Sequence, residues 1–307
     1  MSDISSKTEF SISGEPTMHG DMPGDKVEIN DTHRQKAERI LPVLLEKLSP
    51  VCEANPHHRA VVCVCGGSGV GKSEIASLLG QALQDRGLGS YVLSGDNYPH
   101  RIPAQNDAER LRVFRCGAWK GLLASGLYTP QVKEQLLDLQ RRDLDCDSAQ
   151  AAQAPWLAVY QREGKKALAG YLGTDKEQNF SELSDIISRF KNGDAEIFLK
   201  RMGRIPEDLW YDAVDFSQKQ VLIIEWTHGN SDHFTGVDIP ILLNSTPQET
   251  LEHRRSRNRD GGVDHPFTTM VLEIEQRMLE SNAHKAAIII AKNGDLLSYA
   301  QYRALMA

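Results

Sequence analysis

Apolar and polar positions divide the chain into the alternating runs that are typical of an α/β protein. Residues 60–65 (AVVCVC) form an unbroken apolar run, and comparable runs lie at 220–225 (QVLIIE), 239–244 (IPILLN) and 286–291 (AAIIIA). Such short continuous runs predict strands that are buried on both faces, as in a parallel sheet covered by helices. We therefore expect an α/β fold with three layers and a mainly parallel sheet.

Helical patterns lie between and before these strands. Apolar residues recur at helical spacing over 75–83, directly after the first strand and its Gly-rich turn, and a short strand pattern follows at 90–94 (SYVLS). This order of strand, turn, helix and strand is a βαβ unit. An earlier helix is predicted from Asp31, with Thr32 as its cap, apolar residues at helical spacing over 40–48 and Pro50 as its end.

About 130 residues separate the second strand from the run at 220–225, which is far too long for a simple crossover. Helical spacing appears near 131–144 and 156–169, and a strand-like segment lies at 197–202. The sequence therefore predicts a large, mostly helical insertion on the substrate side, which we place at 116–218.

Composition narrows the classes of function. The 307 residues carry 35 Lys and Arg against 42 Asp and Glu, a net charge of −7, which argues against a protein that coats nucleic acid. Apolar runs are too short to span a bilayer, and the start of the chain does not read as a secretory signal. Five scattered cysteines without metal-ligand spacing favour a reducing, cytoplasmic setting. We expect neither nucleic acid nor membrane as a partner, and a homodimer stays open. Residues 1–30 are expected to form a flexible tail, and 31–307 one domain.

A phosphate-binding loop is the most specific motif in the chain. Residues 66–73 (GGSGVGKS) match G-x-x-x-x-G-K-[ST] between a strand pattern and a helix pattern. Glycines let backbone N–H groups surround phosphate oxygens, a lysine supplies charge, and a hydroxyl can hold Mg²⁺. The alternative is a Gly-rich connecting turn, which needs neither lysine nor hydroxyl. ATP and Mg²⁺ are the expected cofactors, and the expected nucleotide-binding residues are Gly67, Ser68, Gly69, Val70, Gly71, Lys72, Ser73 and Glu74, with Lys72 also catalytic and Ser73 also a metal ligand.

Two carboxylates follow buried strands. Asp96 comes just after the second strand, and Glu225 ends the run VLIIE. In open α/β sheets ligands gather at the carboxyl ends of the strands, where a carboxylate can accept the proton of an attacking hydroxyl or help to hold Mg²⁺. Each could instead be an ordinary turn or strand-end residue. We predict that both are catalytic and metal-linked, without deciding which is the base.

Polar, cationic and aromatic residues follow these acids and recur in the insertion. Guanidinium groups can bind anions in a bidentate manner, and rings can stack on an acceptor. More often, residues of these types are surface charges or core aromatics, and that alternative stays open. The candidate acceptor-binding residues are Asn97, Tyr98, His100, Arg101, Arg115, Arg201, Arg204, Tyr211 and His228, with Lys200, Trp210 and Asp212 beside them.

An arginine-rich segment lies at 251–260 (LEHRRSRNRD) and is followed by Gly261 and Gly262. Arginines near paired glycines can close over a nucleotide and stabilise charge on a transferring phosphoryl group. The alternative is a solvated basic helix face. We predict a lid over 254–264, in which Arg254 and Arg257 bind ATP and Arg259 is catalytic.

The motifs GGSGVGKS, SGDNYPHRI (94–102), VLIIE and RRSRNRD together resemble the P-loop kinases of the phosphoribulokinase and uridine kinase family. LSGDN and AERLRVFR (108–115) also resemble adenylylsulfate kinases. The resemblance implies an ATP- and Mg²⁺-dependent kinase that transfers the γ-phosphate to a hydroxyl of a small polar metabolite, such as a nucleoside or a sugar. It departs from the family at Trp226, where glycine is common, and in the length of the insertion.

Two alternatives remain open at this point. One is an adenylylsulfate kinase, and the other, from a different class, is a regulatory switch that hydrolyses ATP to change shape for a partner. A GTP-specific switch is disfavoured because the chain has no N-K-x-D run. The arginine-rich segment and the acid after the second strand favour a kinase over a switch.

Overall fold

A six-stranded sheet forms the centre of the computed structural model, which describes residues 21–24, 27–152, 154–246, 248–252 and 265–306. The strand order is β2-β5-β1-β6-β7-β8, and all neighbours are parallel except the antiparallel pair β7 and β8. The strands of this sheet are β1 (Ala60–Gly66), β2 (Ser90–Ser94), β5 (Val221–Glu225), β6 (Ile239–Leu243), β7 (Ile288–Ile290) and β8 (Leu296–Leu297). The predicted α/β class with a mainly parallel sheet is confirmed.

The remaining elements are helices and one separate hairpin. Strands β3 (Glu196–Met202) and β4 (Leu209–Asp215) pair antiparallel. The helices are α1 (Asp31–Ala54), α2 (Lys72–Gln84), α3 (Pro103–Ala124), α4 (Pro130–Arg141), α5 (Ser148–Ala151), α6 (Pro155–Ala169), α7 (Phe180–Lys191), α8 (Pro266–Asn282) and α9 (Tyr299–Met306). In the part of the chain that these ranges cover, no helix combines the length and apolarity that crossing a bilayer requires.

Alternate side chains of the central strands supply the cores on the two faces of the sheet. Val62 and Ile223 pack with α1 and α2 on one face, whereas Leu222 and Ile224 pack with α7 and the β3–β4 hairpin on the other. Because both faces are covered, the strands are apolar throughout, which explains the unbroken runs in the sequence. The three predicted layers are therefore present.

Helix α1 begins at Asp31 as predicted, but its cap and its end differ from the prediction. Its cap is Asn30, whose side chain accepts a hydrogen bond from the His33 amide at 3.0 Å, and not Thr32. Pro50 lies inside the helix, which runs on to Ala54. The buried face of α1, which packs against the sheet and α2, sustains the helix despite the lost backbone hydrogen bond.

The insertion is not a single subdomain. Helices α3, α4 and α6 build a core with α8 from residues such as Phe114 and Ile274. Helix α7 and the hairpin instead join the core beneath the sheet through residues such as Phe190 and Leu199. The predicted start at residue 116 also falls inside α3, because the pattern that begins this helix is weakly amphipathic. The two halves of the 116–218 segment thus support opposite sides of the cleft described below.

The predicted tail also needs correction. Asp21 and Met22 are buried against the main body of the protein, the side chain of Asp21 being 6% exposed. The prediction that residues 1–30 form a flexible tail is therefore wrong for these two, because a buried ion pair holds them; residues 1–20 lie outside the described residues.

Candidate active site

One cleft of about 820 Å³ opens at the carboxyl ends of β1, β2 and β5. Its size is that of a site for a small molecule. The phosphate loop forms one wall, and residues of the insertion and of α8 form the others. Functional side chains or loop residues that line it include Ser68, Gly69, Gly71, Lys72, Ser73, Asp96, Arg110, Gln178, Arg204, Glu225, His228 and Glu275.

The loop backbone has the geometry of a phosphate cradle. Gly69 and Gly71 adopt φ angles of 76° and 94°, a region that residues with a Cβ rarely enter. A Cβ on Gly71 would lie 2.8 Å from Nε2 of His33, which reaches the loop from α1. Lys72 begins α2, and its Nζ donates to the Gly67 carbonyl at 3.1 Å. The loop therefore presents main-chain N–H groups, a helix N-terminus and an ammonium group to the cleft.

Most of the predicted nucleotide-binding residues face this cleft, but two side chains do not. Gly67 lines a small cavity adjoining the cleft, together with Ser68. The side chain of Val70 packs into the core, so only its main chain can approach a phosphate. Glu74 is completely buried on α2 and does not line the cleft, because the helix turns that position inward. The Glu74 side chain therefore does not reach the cleft, and a role of this residue in nucleotide binding stays a prediction for its main chain.

The two predicted carboxylates come together at the ends of neighbouring strands. Asp96 and Glu225 both line the cleft, and Glu225 stands in register with Ser94 of β2. The Ser94 hydroxyl donates to the Glu225 carboxylate, which is 5% exposed. This bond fixes Glu225 beside the turn that carries Asp96. Parallel register therefore explains how residues far apart in the sequence form one acidic edge.

The departure at Trp226 has a packing explanation. Trp226 is 1% exposed and lies with its ring centroid 5.0 Å from that of Phe180 and 5.5 Å from that of Phe234. A Cβ on Gly95 would lie 2.1 Å from Cγ of Trp226. The indole thus occupies space that glycine at position 95 provides, and it forms the floor beneath Asp96.

A buried charged network forms part of the cleft wall, and the sequence motifs did not single out its members. Arg110 of α3 donates to Glu177 at 2.5 Å and lies 3.7 Å from Glu275 of α8. Glu177 also accepts from Asn106 at 3.0 Å and from the Gly173 amide at 2.5 Å. Arg110 stood within the run AERLRVFR, but its partners lie on distant segments, so no local spacing could have shown the network.

Burial and charge shift several pKa values in this wall. Burial raises the pKa of Glu275 to about 7, although Arg110 opposes the shift. Burial would also raise the pKa of Glu177, but the Arg110 guanidinium and the hydrogen bond from the Gly173 amide outweigh it and the pKa falls below its usual value. Burial lowers the pKa of His228 to about 4, so its imidazole is neutral at neutral pH. The wall therefore contains one ionised carboxylate and one carboxyl that titrates near neutrality.

The cleft suits a magnesium ion that arrives with a nucleotide. Among the described residues, no group of three or more His, Cys, Asp and Glu side chains could hold a metal ion by itself. Mg²⁺ in phosphate-transfer sites commonly keeps waters and binds one or two protein groups plus phosphate oxygens. Ser73, Asp96 and Glu225 all line the same cleft and offer such groups.

Only two of the predicted acceptor-binding side chains line the cleft, namely Arg204 and His228. Asn97 and Tyr98 are completely buried behind it. The ring of His100 lies 2.9 Å from the Asp175 carbonyl, and Arg101 donates to the Tyr171 hydroxyl at 3.1 Å. These four residues follow Asp96 in sequence, but the chain turns their side chains into structural contacts.

The remaining candidates are also held by other parts of the protein. Arg115 forms a bidentate ion pair with Asp145 at 2.8 and 3.0 Å within the helical half of the insertion. Arg201 pairs with Asp21 and Asp212. Tyr211 is 52% exposed on the hairpin and donates to Glu182. None of these three lines the cleft, so the structure does not bring them to the acceptor site and their role in acceptor binding stays a prediction.

Lys200 and Trp210, which the sequence analysis placed beside the acceptor-binding candidates, contact other parts of the protein. Lys200 donates to the Pro99 carbonyl at 3.0 Å, and Trp210 donates to Asp212 at 3.1 Å on the exposed side of the hairpin. The predicted lid, 254–264 with Arg254, Arg257 and Arg259, lies outside the described residues and stays a prediction.

Comparison with known proteins relates two different lengths of the chain to kinases. Residues 58–110 match the family model described as adenylylsulphate kinase. Over 253 residues, or 82% of its length, the chain is 36% identical to the bifunctional alpha-galactosidase/sucrose kinase of Mediterraneibacter gnavus. The match spans only 22% of that bifunctional protein.

Solved kinase structures resemble the chain at low sequence identity. Phosphoribulokinase from Rhodobacter spheroides is 14% identical, with a TM-score of 0.44, 76% of this chain covered and 70% of that one. D-glycerate 3-kinase from Cryptococcus neoformans is 9% identical, with a TM-score of 0.47, 85% of this chain covered and 97% of that one.

Proposed function

We propose that this chain is a P-loop kinase that transfers the γ-phosphate of ATP to a hydroxyl group of a small sugar. The observation that carries the proposal is the single cleft that joins the phosphate loop, Asp96 and Glu225 to walls built by the insertion. A triphosphate tail at the loop directs its end toward the acidic edge, and an acceptor fits in the remaining space.

The residues of the cleft have distinct tasks in this reaction. The loop amides and Lys72 bind the phosphates, and Asp96 accepts the proton of the attacking hydroxyl. Ser73, Asp96 and Glu225 would hold Mg²⁺ together with phosphate oxygens, and the bound ion would neutralise charge on the transferring group. Trp226 and the buried wall exclude water from the acceptor.

A sugar is favoured as the acceptor by the relative and by the cleft. The name of the bifunctional relative gives two activities, and of these only the sucrose kinase activity is a phosphoryl transfer, the chemistry that a phosphate loop serves. The acceptor side presents hydrogen-bonding groups of different kinds, such as the Gln178 amide, the Arg204 guanidinium and the neutral His228 imidazole, which suit a molecule with many hydroxyls. Sucrose is therefore the first acceptor to test.

Adenylylsulfate is the second candidate, because the matched family model covers residues 58–110. That range contains the loop, Asp96 and the start of α3, which belong to the nucleotide end and the catalytic turn. Arg110 of the cleft wall lies at the end of that range, but Gln178, Arg204, His228 and Glu275, which also line the cleft, lie outside it. The match therefore supports the phosphoryl-transfer machinery more strongly than it supports that acceptor.

The test measures ADP release from ATP and Mg²⁺ with sucrose, glucose, uridine or adenylylsulfate, with the product identified by mass spectrometry. We expect sucrose to stimulate release and to gain one phosphate, and Lys72→Ala to abolish both. Preference for adenylylsulfate would replace the acceptor assignment. Equal ADP release with and without every acceptor would contradict the kinase proposal and favour the ATP-hydrolysing switch.

A further inference from the structure

The residues that precede α1 contribute to the acceptor side of the cleft. Met22 is 5% exposed and lines the cleft together with Asp96, Pro99 and Arg204. It is one of the apolar side chains in a lining that also contains charged groups, and it lies outside the 58–110 match. Its place in the wall therefore requires an explanation that the phosphate loop does not supply.

The neighbouring Asp21 anchors this segment behind the cleft. Its carboxylate accepts from the Tyr91 hydroxyl at 2.7 Å, the Ser94 amide at 3.0 Å and Asn97 Nδ2 at 3.3 Å, and it lies 3.1 Å from Arg201 Nη1. These donors come from β2, the turn after it and the hairpin. A carboxylate with four donors and 6% exposure has one position available to it.

The anchor is tied to the catalytic turn itself. Ser94 and Asn97 flank Asp96 in the sequence, and Ser94 also donates to Glu225. Asp21 thus contacts the backbone and side chains that set the position of Asp96, while the next residue faces the cleft. The place of Met22 relative to the acidic edge is consequently fixed by the same hydrogen bonds.

We propose that Met22 determines acceptor specificity and that Asp21 is the residue that positions it. The inference rests on the proposed sugar kinase activity. The Met22 side chain packs against the apolar C–H face of the sugar, on the side where the hydroxyl meets Asp96. A methionine suits this role because its unbranched, polarisable side chain adapts to a ring surface without offering a hydrogen bond.

The test compares KM for the acceptor with KM for ATP in Met22→Ala, Met22→Leu and Asp21→Asn. Met22→Ala should raise KM for sucrose roughly tenfold, the scale of a lost apolar contact in a pocket, and should change the ratio of kcat/KM for sucrose and glucose. KM for ATP should stay within about twofold because the loop is untouched. Met22→Leu should restore most of the acceptor affinity. Met306→Ala, on α9, controls for the loss of a methionine.

Asp21→Asn tests the anchor, and it should raise KM for sucrose with KM for ATP unchanged. If Asp21→Asn fails to fold, the Met22 variants decide the question by themselves. Equal changes in both KM values, or none, in Met22→Ala would overturn the inference while the wild-type activity leaves the proposed function standing. A wild-type protein that phosphorylates no sugar would overturn both.

Discussion

The two ends of the cleft differ in how they are built. At the phosphate end, one continuous segment from Gly66 to Ser73 supplies backbone groups, an ammonium and a hydroxyl in a fixed local geometry. At the acceptor end, the side chains come from separate segments that meet only in the folded protein. They are Met22, Arg110, Glu177, His228 and Glu275. Phosphate binding therefore depends on the spacing of residues within one segment, whereas acceptor recognition depends on contacts between residues that are far apart in the sequence.

The largest expected effect is on the phosphate end. Lys72→Ala should lower kcat/KM by at least about a thousandfold, because it removes the charge that the loop offers to the phosphates. The measurement is ADP release with sucrose, and Lys133→Ala, an exposed lysine on α4, is the control. Turnover within tenfold of wild type would break the comparison, because the loop would not be the nucleotide site.

Asp96 and Glu225, which lie where the two ends of the cleft meet, should respond differently to substitution. Asp96→Asn should lower kcat at least about a hundredfold even at saturating Mg²⁺, the scale of a lost general base. Glu225→Gln should mainly raise the Mg²⁺ concentration needed for half-maximal rate. The reaction rate of each variant is measured as a function of Mg²⁺ concentration. The reverse pattern would exchange the two assignments.

The acceptor wall should show its buried charge in the pH dependence of stability. Glu275 has a pKa near 7 in the folded protein and an ordinary one of 4.5 when unfolded. Between those values the unfolded state loses the proton first, so the Glu275 contribution to stability falls as pH rises. Glu275→Gln should therefore stabilise the protein by about 3 kcal/mol at pH 8 and little at pH 4.5.

Chemical denaturation of wild type and Glu275→Gln at both pH values measures this difference. The comparison with the variant is needed because wild-type stability alone also reflects His228. The pKa of His228 is lowered to about 4, so its contribution to stability is lost as pH falls, in the opposite direction to that of Glu275. Met306→Ala should show no such pH dependence. An equal difference at pH 4.5 and pH 8 would contradict the assignment of the titrating group.

The smallest effect on activity should come from Arg115, which supports the insertion without facing the cleft. Arg115→Met removes the ion pair to buried Asp145, which keeps its hydrogen bond from Tyr160 at 2.9 Å. Stability should fall by about 2 kcal/mol, the scale of a charged hydrogen bond. The kcat and both KM values should stay within about twofold. A selective rise in KM for the acceptor would restore the original interpretation of Arg115 as a binding residue.

Much of the fold and one half of the site follow from the sequence. The buried strands at 60–65 and 220–225 are continuous apolar runs, and the acids that follow strands meet because parallel strands end at one edge of the sheet. The phosphate loop could be predicted because all its phosphate-binding groups lie in one short segment, so the residue types and their spacing in the sequence describe the site.

The acceptor end was largely beyond prediction for a physical reason. Arg115 and Arg201 have the residue type of anion-binding groups, but buried carboxylates far away in the sequence hold them. Arg110 was inside a quoted motif, but its role depends on Glu177 and Glu275. The burial of Met22 depends on the four donors to Asp21. No local pattern contains such pairings.

The central claim is that the loop at 66–73 captures the triphosphate of ATP, and calorimetric titration tests it most directly. Wild-type protein titrated with ATP and Mg²⁺ should bind one nucleotide per chain, and Lys72→Ala should bind at least about tenfold more weakly, the scale of a lost charge-assisted bond. No heat of binding with the wild-type protein, or equal affinity in the two proteins, would contradict it.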